Sequence, residues 1–397
     1  MTWPPHRLEE REWSPKQRQG SRDDRLLNRV TVSIPPRIAD LDYVPPSQVT
    51  TTSEAAVIAV ARLEAGFGQY MAPLADFLLR SESVASSKIE HIDAGWQAFG
   101  KAVGGAKASD EAKSQLAAVQ ALTAMVGAAS VGPITVRDLL AAHRLLMSPD
   151  YYASRDGGRF RDAQNWIGGS DYTPLHALFV PPPPELVADL TDDLLTFAAR
   201  TDVPIIAQAA IAHAQFESIH PFVDGNGRIG RALISAIFRR RGLTSRVTVP
   251  LASVMLANTA RYFDQLTAYR AGRVDEFIEY VALAAVHAGE AAIESARTLA
   301  ELPVRWRTAA RPRAGSSDEA LIAGLLDQPI LNIDTALRIA GTTESATYRA
   351  LDRLVAAGIL EVLSAAKRGR VWAATDILAE LDALSAAIGK RTAAELK

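Results

Sequence analysis

Cysteine is absent from this 397-residue chain. Its absence removes disulfides, zinc ribbons and thiol nucleophiles together. It suits a reducing compartment, so a cytoplasmic location is expected. A strong charge of either sign is missing too: 43 Lys and Arg against 45 Asp and Glu leave a formal net charge of -2. No global field then draws the chain to nucleic acid or membrane, and any such binding must come from a local patch. The first residues, Met1 to Arg29, are polar and carry Pro4, Pro5 and Pro15, which is no secretory leader. No run of about 18 apolar residues is read as a membrane span, and no membrane partner is expected.

What the chain does have is apolar mass. Hydrophobic residues make up 48%, much of it alanine, which leans helical. The expected fold is mainly α: a helical bundle with a small β-hairpin, then a small α+β module. Residues 1–50, with prolines at 35, 36, 45 and 46, are expected to form an irregular extended arm. A helical domain is expected over 51–303, with one helix near 73–92 and a hairpin at about 163–183, where the Gly168-Gly169 pair and Pro181 to Pro184 interrupt the helical pattern. Arg305, Arg307, Arg311 and Arg313 beside Pro312 and Gly315 mark 304–317 as a linker, and 318–397 as a separate module.

The densest chemistry is the run from His220 to Arg231, His-Pro-Phe-Val-Asp-Gly-Asn-Gly-Arg-Ile-Gly-Arg. Its glycines match two phosphate motifs by accident. Gly225, Gly227 and Gly230 have dinucleotide-fold spacing, but a helical pattern precedes them and the next acid after Asp224 is Asp264, where a strand and an acid about 20 residues on are needed. The same stretch fails as a P-loop because Arg231 and Ala232 stand where Lys and Ser or Thr belong. A calcium loop starting at Asp224 fails at Ile229 and Ser235.

What remains is a helix, a turn holding a histidine, a glycine turn and a second helix. A helix starting near Gly227 aims free N–H groups at the turn, and glycines let a phosphate come close. Arg228 and Arg231, three apart, share a face and reach the same anion. Asp224 is the single carboxylate that Mg²⁺ uses together with phosphate oxygens and water. His220 stands beside them as a general base. Either a Gly-Asn-Gly turn or a lone histidine is by itself more often structural; the convergence of base, acid, glycines and two arginines within twelve residues argues otherwise.

This run resembles the Fic-domain family, whose pattern H-x-F-x-[DE]-G-N-G-R-x-x-R it matches at all eight fixed positions. Gln164-Asn165-Trp166-Ile167-Gly168 and Phe179-Val180 with the prolines after it resemble that family's flap, and the likeness covers about residues 30–300. The resemblance implies a protein adenylyltransferase using ATP and Mg²⁺. His220 would deprotonate a Ser, Thr or Tyr hydroxyl of a target protein, possibly a copy of the chain itself. Asp224 would hold Mg²⁺; Gly225, Asn226 and Gly227 would form the anion hole; Arg228 would meet the phosphates and Arg231 the γ-phosphate. Phe222 would be a buried anchor, and the flap would align the target by strand addition. Ser86-Ser-Lys-Ile-Glu90 resembles the family's inhibitory motif, in which Glu90 would pair with Arg231; here His91 follows, where the family has Gly or Asn. Relatives that transfer other groups or remove AMP are the alternative within the fold.

Residues 318–385 suggest a winged helix: Ala320–Leu326, Thr335–Ala340 and Thr343–Ala357 as helices, Ile359–Leu363 and Arg370–Ala373 as wing strands. Its third helix balances Arg349 and Arg353 with Glu344 and Asp352, while Lys367, Arg368 and Arg370 lie near the wing tip. That is a modest footprint for DNA, and a protein partner or a homodimer is the competing expectation. A DNA-binding regulator with a nucleotide-sensing core is the reading from another functional class.

Overall fold

The computed structural model describes residues 3–14, 19–66, 71–364 and 369–394. In chain order the elements are β1 (Arg7–Glu12), α1 (Arg22–Leu26), β2 (Arg29–Ile34), α2 (Ser47–Ala65), α3 (Met71–Ile89), α4 (Gly95–Val103), α5 (Asp110–Val131) and α6 (Val136–Met147). They continue as α7 (Val187–Ala199), α8 (Ile205–Ile219), α9 (Asn226–Arg240), α10 (Leu251–Ala257), α11 (Thr259–Arg270) and the long α12 (Val274–Ala310). The last set is α13 (Ser317–Gly324), β3 (Ile330–Asn332), α14 (Ile333–Ala340), α15 (Glu344–Ala356), β4 (Leu360–Ser364), β5 (Val371–Ala374) and α16 (Thr375–Ala394). The mainly helical expectation with small antiparallel sheets holds.

The chain divides into two compact units, one made of residues 1–55, 121–243 and 259–283, the other of 56–120, 244–258 and 284–397. This division does not follow the sequence-based boundaries, because α3, α4 and α10 group with the C-terminal elements.

In the first unit α8 is the central helix. Every residue of it except Ile205 is buried, including Gln208, His213, Gln215, Glu217 and Ser218, as befits a helix enclosed by its neighbours. Alanines at 207, 209, 210, 212 and 214 let neighbours approach closely. Gly230 of α9 faces α8 where a Cβ would collide with Glu217 Oε1 and fall 2.9 Å from Phe216. The expected extended arm is instead a hairpin: β1 and β2 pair antiparallel from Arg7↔Ile34 to Glu12↔Arg29. The signal lay in the β-branched alternation Arg-Val-Thr-Val-Ser-Ile of β2, masked by the prolines around it. Val30, Val32 and Ile34 form a small core with Val180, against which Trp13 and Trp166 pack. The expected hairpin at 163–183 narrows to one antiparallel bridge, Ile167↔Phe179, since Pro181 to Pro184 offer no N–H to extend a ladder.

In the second unit α10 packs on α3 and α16, and α4 on β4 and β5. Glu82 of α3, 3% exposed, accepts a hydrogen bond from Ala252 N at 2.7 Å. The three-stranded sheet has the order β3-β5-β4; β3 and α16 had no sequence signal. The linker expected at 304–317 is helical as far as Ala310, because Trp306, 2% exposed, is anchored by its Nε1 donating to Asp376 Oδ2 at 2.7 Å. The expectation of no membrane-length apolar helix needs correcting. By length and composition alone α5 is apolar enough to cross a bilayer, though nearly half of that stretch is buried in the protein.

Candidate active site

The site is the connection between α8 and α9. His220 ends α8 in the left-handed conformation, φ 50° and ψ 60°, with its N–H donating to Phe216 O at 2.9 Å. A non-glycine residue there is strained by about 1 kcal/mol or more, and something must hold it. The loop that follows is closed by Asn226. Its Oδ1 accepts from Phe222 N at 2.8 Å and its Nδ2 donates to Phe222 O at 2.9 Å. The side chain of Asn226 therefore braces the loop. Phe222 is fully buried, as expected of an anchor.

Gly225 turns the chain with φ 77°, and a Cβ there would lie 2.8 Å from Leu146. It caps α9 without any side-chain hydrogen bond, so the N–H groups of the first turn are not claimed by a cap. Arg228 and Arg231 are 6% and 2% exposed. Two buried guanidinium groups at a helix N-terminus make a strong anion receptor. Asp224 is the opposite: its carboxylate is 69% exposed and lies 3.6 Å from Arg228 Nη2. One carboxylate beside an anion site suits a magnesium ion held jointly with phosphate. Among the described residues no cluster of three or more His, Cys, Asp or Glu offers an all-protein metal cage.

Two supports had no sequence signal. His143 of α6, fully buried, stacks on Phe222 with ring centroids 3.8 Å apart. Its Nδ1 accepts from Gly158 N at 3.0 Å, so Nε2 carries the hydrogen and donates to Asp224 O at 3.0 Å. Burial lowers its pKa to about 4, which keeps the ring neutral. Arg161, 3% exposed, donates to the backbone at the other end of the loop. Asn165 Nδ2 also donates to Phe222 O at 3.0 Å. Tyr262 and Tyr269 are core residues, with Tyr262 Oη 2.9 Å from His213 Nε2 and Tyr269 Oη donating to Gln215 Oε1 at 2.8 Å.

The residues of the inhibitory motif belong to the second unit. Ser86 is buried in the last turn of α3, and Glu90 follows that helix in an exposed turn. His91 has φ 60°, a left-handed position that glycine and asparagine favour.

Residues 133–238 match the Fic/DOC family. This segment is a Fic domain. A protein adenylyltransferase Fic of Drosophila willistoni is 29% identical over 152 residues, 38% of this chain and 27% of its own length. Protein adenylyltransferase fic-1 of Caenorhabditis elegans is 32% identical over 149 residues, again 38% and 27%. The chain thus spans about a quarter of the length of the curated relatives it matches. A Fic family protein from Desulfovibrio desulfuricans G20 shares the fold, with a TM-score of 0.56 and 22% identity over 84% of this chain and 97% of its own. The twelve-residue run lies inside the Fic segment, as do α6 and the flap.

Proposed function

We propose that this chain is a protein adenylyltransferase that moves AMP from ATP to a Ser, Thr or Tyr hydroxyl of a protein. The observation that carries the reading is the strained His220 standing beside the uncapped N-terminus of α9 with its two buried arginines. The names of the relatives support it. His220 takes the proton of the target hydroxyl, whose oxygen attacks the α-phosphorus; the bond to the bridging oxygen breaks and pyrophosphate leaves. The backbone amides of Asn226 and Gly227, with Arg228, bind the phosphates before and during this charge shift, joined by that of Gly225 once it releases Asp224 Oδ1, to which it donates at 2.6 Å, and Arg231 orients the γ-phosphate. Asp224 would hold Mg²⁺, which supplies charge neutralisation on the phosphate oxygens.

We propose further that Glu90 restrains the site and that Ser86, one helical turn earlier, shares that task. The C-terminal elements α13 to β5 we read as a winged helix used for regulation or targeting in the cytoplasm.

One experiment tests both the transfer and the restraint. The chain is incubated with Mg²⁺ and ATP labelled at the α- or the γ-phosphate, beside His220→Ala and Glu90→Gly. Protein-bound α-label lost by at least about a hundredfold in His220→Ala is expected, with a sharp rise in Glu90→Gly. Label from the γ-position alone would overturn AMP transfer and favour a phosphotransferase of the same fold. Equal labelling of the wild-type chain and Glu90→Gly would remove the restraint.

A further inference from the structure

We propose that Arg161 is a positioning residue of the transfer site, fixing His220 and both legs of the flap as one body. Its Nε donates to His220 O at 2.8 Å, its Nη2 to Ile219 O at 3.3 Å and Pro182 O at 2.5 Å, and its Nη1 to Ala163 O at 3.2 Å. Its own N–H donates to Pro221 O at 2.9 Å. All five acceptors are backbone carbonyls. Ile219 and His220 supply the orphan carbonyls at the negative end of α8, where a cation is favoured. Ala163 and Pro182 bracket the flap on its outgoing and returning sides.

The planar fork of a guanidinium explains why arginine stands here. Lysine has three donors on one atom and cannot reach carbonyls in four directions from a rigid plane. Burial lowers the guanidinium pKa to about 10, which leaves it charged at neutral pH. A buried charge whose hydrogen-bond partners are all backbone carbonyls is costly, and its cost is offset where it holds a strained residue in place. Two neutral bonds reinforce the same junction: Gln164 Nε2 donates to Pro181 O at 2.9 Å, and Asn165 Nδ2 to Phe222 O at 3.0 Å. A target strand laid on the flap therefore pushes on the same guanidinium that sets the imidazole. Arg161 makes no hydrogen bond to residues 224–231 among those described, so it orients the base without building the phosphate site.

This inference rests on the AMP-transfer reading. The test uses the full chain with Arg161→Lys and Arg161→Gln, beside wild type and His220→Ala, in the Glu90→Gly background. Self-labelling from α-labelled ATP gives kcat and the KM for ATP, and circular dichroism gives the folded fraction. Per folded molecule, kcat is expected to fall about a hundredfold, as for a misplacement of about 1 Å, while the KM for ATP moves less than about threefold; Lys keeps more activity than Gln. A wild-type kcat per folded molecule in either variant, with His220→Ala inactive, overturns the role of Arg161 alone. So does an equal loss through KM. Labelling that does not need His220 overturns the underlying reading instead. Should neither variant fold, hydrogen exchange of the unmutated chain decides. The amides of 163–167, 179–180, 219–220 and 222 exchange as one opening unit if Arg161 joins them, and independent opening overturns the proposal.

Discussion

The first two turns of α9 and the helix α15 both carry two arginines and start after a turn, yet the arginines end in opposite surroundings. On α9, Arg228 and Arg231 are nearly inaccessible. On α15, Arg349 is exposed, and Arg353 forms a two-pronged pair with Asp318, at 2.7 and 2.5 Å. Nearby, Arg370 lies 3.8 Å from Asp352. Charges are rarely buried without a reason, whereas exposed pairs form readily and contribute little. The α9 turn draws its arginines inside the protein, with Asp224 3.6 Å from Arg228 Nη2, whereas Arg349 and Arg353 of α15 stay at the surface. Identical residue counts thus carry different information, and burial separates them.

The sharpest way to break this contrast is at the brace of the buried turn. Asn226→Ala removes both hydrogen bonds to Phe222 and strands a buried N–H. A loss of about 2–4 kcal/mol is expected, read as reduced urea resistance of the unit containing the turn, together with loss of α-label transfer. A variant as stable as wild type would mean that the loop is held elsewhere.

Acid should act on the same turn. His143 has its pKa lowered from 6.5 to about 4 by burial. The unfolded chain therefore takes up the proton first as pH falls. The stability owed to the neutral ring is complete above about pH 6.5 and is lost as pH falls from there through about 4. By linkage the loss amounts to at most about 3 kcal/mol. His213 of the same unit, lowered to about 3 by burial, acts in the same direction. Urea midpoints measured from pH 7 to pH 4 should fall in wild type and fall less steeply in His143→Gln. Parallel curves for the two would show that His143 is not neutral in the native turn.

How much of this was legible in the sequence follows the same divide. The twelve-residue run showed its chemistry because base, acid and anion donors are adjacent in the chain. Arg161 did not, because Arg159, two residues away, has the same local setting and the opposite fate: it is exposed and pairs with Asp156. Only the fold determines which of the two turns inward. His143 sits on the buried face of an ordinary amphipathic helix, where a histidine has no marker. The arginines at 305 and 307 suggested a linker while the buried Trp306 between them continued the helix. The flap was legible as a turn-rich interruption, but the prolines that mark its end also limit its pairing to one bridge.

The smallest effect is expected on the exposed side of the comparison. If the charges of α15 are satisfied within their own unit, DNA binding by the C-terminal module is weak and nonspecific. Arg370 is partly held by Asp352, and Lys367 and Arg368 lie outside the described residues, so Arg349 is the α15 cation not drawn into a described ion pair. Retention of the full chain on a DNA column should then be lost at moderate salt. Arg349→Ala should reduce the slope of log affinity against log salt by no more than about 1. Arg353→Ala should leave that slope unchanged, since its guanidinium already has a carboxylate partner, and should lower stability by leaving Asp318, 9% exposed, without that cation. A steep salt slope that collapses in Arg353→Ala would mean that the pair with Asp318 opens for phosphate. The α15 surface would then belong with the α9 turn as an anion receptor.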